Sequence, residues 1–141
     1  MDRDYVADCA GVLPATRFAC EAYIRFVREK SLLEAVASSL TELFAPTLHK
    51  NRIAALLEHY SFANEKTLAY FRTRLVQAPV DVEFGLAYVL QQAQTRAQQE
   101  LCLAALTFKT EVLWSQLDAL NHAYVTPGLV PPGAFLPEHQ E

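Results

Sequence analysis

Glycine is scarce in this chain, four in 141 residues, there is a single tryptophan, and alternating runs of β-branched residues are few. A sheet protein draws on both its β-branched alternation and its glycine turns, so a β architecture is excluded. Long hydrophobic runs are missing as well. The longest nearly apolar stretch, 101–108, falls far short of the ~20 residues that a membrane-spanning helix needs. The start, with Asp2, Arg3 and Asp4, lacks the charge pattern of a secretory leader, and a soluble, cytoplasmic protein is expected. Nor is there a surplus of positive charge: 12 basic against 16 acidic residues give a net charge of −4, mixed along the chain. No basic stripe is available to neutralise phosphates, which argues against a nucleic-acid partner. Three cysteines, Cys9, Cys20 and Cys102, are an odd number at no metal or redox spacing and are expected to be reduced packing residues. Glycine-rich phosphate loops, nucleophile elbows and zinc spacings are absent. Neither His49 nor His59 has a glutamate three residues before it, as a di-metal helical bundle would require. His59, His122 and His139 lie in no chemical motif.

What is present is helix-forming. Ala, Leu, Glu and Gln dominate, and 52% hydrophobic content supplies the core of one modest all-α domain. Pro14 suits a first helical turn and opens a helix over 15–29. Ser31 with Glu34 forms a capping box for a second helix reaching about Phe44, where Pro46 ends or kinks it. Leu48, Arg52, Ala55 and Leu56 mark a third over 47–58, and Asn64 caps a fourth over 65–77. Ala78, Pro79 and Val80 read as a break before a fifth helix near Asp81. Thr95 and Gln98 cap a sixth that continues past Trp114 to about Tyr124. The expected organisation is therefore a helical domain over 1–125 and a Pro/Gly-rich tail or linker over 126–141.

One segment is too polar for simple packing. Ser38, Ser39, Thr41 and Glu42 precede Pro46, and His49 and Arg52 follow at once. His49 and Arg52, three apart, share a helix face, as do Tyr70 and Arg74, four apart. Lys109 is flanked at helical spacing by Ala105, Leu106, Val112 and Leu113, so its ammonium rises from an apolar strip. Arg52, Arg74 and Lys109 together suit a small polyanion, because guanidinium groups bind carboxylates bidentately and a desolvated ammonium adds a point charge. His49, with Tyr23 or Tyr70, suits proton transfer. Spacing alone leaves blander readings open. Glu42 and Arg52 fit a structural ion pair equally well, His49 fits a hydrogen-bonded core histidine, Tyr70 and Arg74 fit a solvated face, and Lys109 can carry its head to water along an apolar stem.

These segments resemble a known family. The run from Ser38 to Pro46 with His49 and Arg52, then Tyr70 to Arg74, Phe108-Lys109 and Leu113 to Ala119, extended by Leu13 to Ala19 and Glu21 to Tyr23, is similar to the pyrroloquinoline-quinone synthases. The resemblance covers nearly everything from Leu13 to Tyr124 and corresponds to the C-terminal half of the family. It implies a haem-oxygenase-like helical bundle of the TenA/PqqC type, here a partial bundle of about six helices. It implies an oxidase that closes the last ring of a quinone tricarboxylate precursor and oxidises it with dioxygen, releasing hydrogen peroxide, with no cofactor and no metal. Matching positions make His49, Tyr70, Arg74 and Lys109 catalytic, and Tyr23, Thr41, Glu42 and Arg52 substrate-binding. One position departs, since the family pattern Val-Glu-His-Gly reads Val82-Glu83-Phe84-Gly85 here.

Partners follow from the same features. Helices shaped to cover others predict an exposed apolar face and a homodimer, and the proline-rich tail matches the place where some family members are fused to a peptide-carrier domain. Two other functions compete. A metal-dependent relative that makes para-aminobenzoate implies a His-x-x-x-Asp-x-x-His pattern, where this chain has Gln77, Asp81 and Phe84. A non-catalytic helical binding module would keep the anion-binding residues without turnover.

Overall fold

A computed structural model describes residues 2–136; His139 and the end of the expected tail, 137–141, lie outside it. Helices α1 (Arg3–Ala7), α2 (Pro14–Glu29), α3 (Leu32–Ser39), α4 (Ala45–His59), α5 (Glu65–Gln92) and α6 (Arg96–Tyr124) are joined by a 3-10 segment, Leu40–Phe44, between α3 and α4. No strand occurs among the described residues, so the all-α expectation holds. Residues group into two units, one of 1–29 with 110–141 and one of 30–109.

In the second unit the local signals act as the sequence reads. The Ser31 Oγ accepts from the Glu34 N–H at 3.3 Å while the Glu34 carboxylate accepts from the Ser31 N–H at 3.1 Å and from its hydroxyl at 2.7 Å. Two otherwise orphaned amide donors are satisfied reciprocally, which fixes the start of α3. The same exchange between Thr95 and Gln98 starts α6, and Asn64 caps α5 with Thr67 as its reciprocal partner. Pro46 falls in the first turn of α4, where its missing N–H costs nothing. The 3-10 segment takes up the change of direction.

One expectation fails here. The sequence predicts a break at Pro79, yet α5 runs unbroken for 28 residues through it. Its buried strip explains why. Leu68, Ala78, Gly85 and Val89 are buried, with Phe71, Leu75 and Val82 half-buried between them, a continuous line facing α3, the 3-10 segment and α4. Packing along the whole line outweighs the loss of one backbone bond to the Leu75 carbonyl, and Pro79 sits on the exposed side where that carbonyl can be solvated. In α4 the buried line is Ala45, His49 and Ile53, while Leu48 is exposed. A polar residue holds the inward position, which a hydrophobic pattern cannot register.

The first unit contains α1, which the sequence reading did not assign, together with α2 and the C-terminal part of α6. Gly11 has φ +77° and a side chain there would collide with the Tyr5 hydroxyl, so glycine is required at this turn. Its carbonyl accepts from the Phe135 N–H at 2.8 Å, and the Tyr124 hydroxyl donates to the Phe135 carbonyl at 2.9 Å. The described part of the proline-rich segment is thereby bonded to its own unit.

Large apolar side chains remain uncovered in both units. Phe18, Trp114 and Leu117 in the first, and Phe44, Val76, Phe84, Leu90 and Leu103 in the second, are all exposed. No helix among the described residues is long and apolar enough to cross a membrane.

Candidate functional site

The polar residues of the second unit gather where α4, α5 and the 3-10 segment meet. His49 projects inward from α4 and is only 9% exposed. Its ring lies edge-on to Tyr70, 6.1 Å between centroids, and 5.7 Å from Phe71. The Nδ1 atom is buried with no hydrogen-bond partner among the described residues. Buried polar atoms are nearly always satisfied, so this nitrogen is an exception that packing alone does not explain. One turn on, the Arg52 guanidinium lies 5.7 Å from the Phe71 centroid, a cation–π contact that leaves its fork open to solvent.

Glu42 comes from the 3-10 segment and Arg74 from α5. The Arg74 Nη2 donates to the Glu42 carboxylate at 3.0 Å and its Nη1 to Asp81 at 2.9 Å. The bond to Asp81, then that to Glu42, holds the guanidinium pKa above its ordinary value against the opposing effect of burial. These three residues, with Ser39, Leu40 and Val82, line a cavity of about 200 Å³. Thr41 is half-buried beside Glu42.

The geometry thus draws together His49, Arg52 and Tyr70 around Phe71, and Glu42 with Arg74. It corrects one alternative: Glu42 pairs with Arg74, 32 residues away, not with Arg52. The Arg74 side chain is 19% exposed, too enclosed for a solvated face, whereas Tyr70 is exposed. Lys109 stands half-buried on α6, on the strip that carries buried Cys102 and Ala105. Tyr23 belongs to the first unit, where its ring stacks on Phe26 at 6.4 Å.

Two participants escaped the sequence reading. Phe71 is the ring shared by His49 and Arg52. Asp81 is the second carboxylate on Arg74; seven residues, two helical turns, separate them, but the break expected at Pro79 concealed the shared face.

A second cavity, about 450 Å³ and mostly apolar, lies between α3, the end of α5 and α6, with Ala37, Val89, Leu103 and Leu106 in its walls. Cys102 is buried there, and burial, with the Glu34 charge adding to it, pushes its thiol pKa up. That makes it an inert packing thiol rather than a nucleophile.

Residues 1–119 match the TENA/THI-4/PQQC family. The chain is 67% identical over 135 residues to the pyrroloquinoline-quinone synthase of Rhizobium rhizogenes, covering 96% of this chain and 55% of that protein. It is 67% identical to that of Rhizobium meliloti, with 53% of the relative covered. To the Granulibacter bethesdensis protein of the same name it is 56% identical over 138 residues, with 54% covered. The chain spans about half the length of the curated relatives it matches.

Proposed function

Since the chain belongs to the TENA/THI-4/PQQC family, we propose that it carries the substrate-gripping and proton-transferring part of a pyrroloquinoline-quinone synthase site. The observation that carries this reading is the buried, unpartnered Nδ1 of His49, set between Tyr70 and Phe71. The hydrogen-bonding capacity of that nitrogen is unspent among the described residues, which supports a role for the imidazole in proton transfer.

The substrate is a quinone tricarboxylate precursor. Arg52 presents an open guanidinium, Arg74 a half-buried one and Lys109 an ammonium, and three cations suit three carboxylates. His49 takes a proton from the substrate as the last ring closes and oxidation proceeds, with Tyr70 beside it. Dioxygen is the co-substrate: each molecule that leaves as hydrogen peroxide takes two electrons and two protons from the substrate, and successive oxidation steps use further dioxygen. An electron-rich substrate reduces dioxygen itself, so the reaction proceeds without a resident cofactor. Glu42 shapes the pocket wall, with Thr41 next to it in the chain. The many exposed apolar side chains support a homodimer, and a cytoplasmic setting suits a small-molecule pathway of this kind, with a peptide-carrier domain as a further partner.

Titration with pyrroloquinoline quinone, followed by absorbance, tests the reading. Saturable binding is expected, and Arg74→Ala should weaken it roughly tenfold to a hundredfold, the value of a desolvated charge-assisted contact. In a chimera completed with the remaining residues of the Rhizobium rhizogenes relative, His49→Asn should slow oxidation ~10²–10⁴-fold while changing affinity little, and chelators should have no effect. A wild-type chain and chimera that fail to bind the quinone would end this proposal. A second reading, an anion-binding module without turnover, predicts binding with no dioxygen consumption by the chain or the chimera.

A further inference from the structure

The Arg74 guanidinium carries two carboxylates, and they are not equivalent. Glu42 arrives from the 3-10 segment, 32 residues earlier, so its bond to Nη2 ties two elements of the unit together. Asp81 lies on α5 itself, and its bond to Nη1 spans two turns of that one helix without joining a second element. The Asp81 side chain is also the more open of the two, 58% exposed against 43% for Glu42. With one cation between two anions, the charged lining of the cavity is net negative as it stands. An incoming carboxylate meets repulsion until one anion leaves.

We propose that Asp81 is a displaceable latch on Arg74: it holds the Nη1 edge of the guanidinium when no ligand is bound and turns to solvent when a ligand carboxylate takes its place, while Glu42 stays bonded. The proposal rests on the reading of Arg74 as a carboxylate-binding group. Asp81 is the partner that can leave, because its departure costs no contact between elements and returns an already half-solvated carboxylate to water. A latch of this kind sets a threshold. A ligand engaging Arg74 through one carboxylate only exchanges one anion for another, whereas a polycarboxylate that also reaches neighbouring cations gains more than Asp81 loses. Specificity then comes from the competing internal anion as well as from attraction.

The experiment follows the Nε–H resonance of Arg74 in the full chain, labelled with ¹⁵N, as citrate is added. Asp81→Asn and Asp81→Ala should each tighten citrate binding about fivefold, the scale of a partly exposed ion pair. Both changes are mild at an exposed helical position, and helix content by circular dichroism confirms that the fold is kept. Glu42→Gln removes the same charge and should tighten binding less. In an Arg74→Ala background the gain from Asp81→Asn should vanish. Affinity unchanged or weakened in both Asp81 variants overturns the latch, as does an equal gain in Glu42→Gln or a gain that survives without Arg74. Pyrroloquinoline quinone separates the two readings. If it fails to bind while the citrate effects persist, the proposed function falls and the latch stands; if it binds through Arg74 while Asp81 substitutions change nothing, only the latch falls.

Discussion

Replacing His49 with leucine should make this protein more stable. The imidazole is 9% exposed and its Nδ1 has no hydrogen-bond partner among the described residues. A buried polar atom left unsatisfied costs about 1–3 kcal/mol. Leucine is of comparable size, stays in contact with the Tyr70 and Phe71 rings, and carries no polar atom. Against the gain stands the edge-on ring contact with Tyr70, worth about 0.5–1.5 kcal/mol beyond simple burial. The balance favours the variant by roughly 1 kcal/mol. With an unfolding slope of about 2 kcal/mol per molar urea, the midpoint should rise by about 0.5 M. His49→Ala should do the opposite, since truncation opens a cavity beside the two rings. Urea unfolding of the three proteins, followed by circular dichroism, makes the comparison. A midpoint for His49→Leu that falls below wild type would show that the histidine is retained for structure, and the argument from its unsatisfied nitrogen would collapse.

Two further outcomes follow from local structure. Ser31→Ala should cost about 1 kcal/mol by removing the N-cap of α3. It should also change the acid limb of stability: the Ser31 hydroxyl, chiefly, holds the Glu34 pKa below its ordinary value of 4.5, so the wild type has a contribution that is present above that value and lost as pH falls through the lower, folded one. Urea midpoints at neutral pH and on either side of that range should therefore show a shallower acid decline in the variant, and an unchanged decline would refute the assignment. Pro79→Ala should restore the backbone bond to the Leu75 carbonyl and raise stability by as much as ~3 kcal/mol, read as a higher melting temperature. A lower one would mean that α5 depends on the proline.

The helical class and three of the helix starts were legible because capping boxes and helix-forming residues act locally, within three or four positions. The line of α5 was not. Proline's effect at 79 is local, but the buried strip that overrides it depends on α3 and α4, which no window of sequence contains. Nor does hydrophobic spacing orient α4, because its inward position at 49 belongs to a polar residue. At the site, residue types and their family resemblance picked out His49, Arg52, Tyr70, Arg74 and Glu42. Their pairing was beyond reach, since a contact spanning 32 residues leaves no periodic trace, and Asp81 was hidden by the misplaced break.

Helix α5 is about 42 Å long at 28 residues, and its one missing backbone bond, at Pro79, falls between Arg74 and Asp81. The side-chain bridge from 74 to 81 therefore acts as a splint across the softest turn of the rod. Whatever releases that bridge does two things at once: it frees the guanidinium, and it removes the external brace from the place where the helix bends most readily. Charge at one side chain is thereby linked to the turn of the helix that lacks a backbone bond.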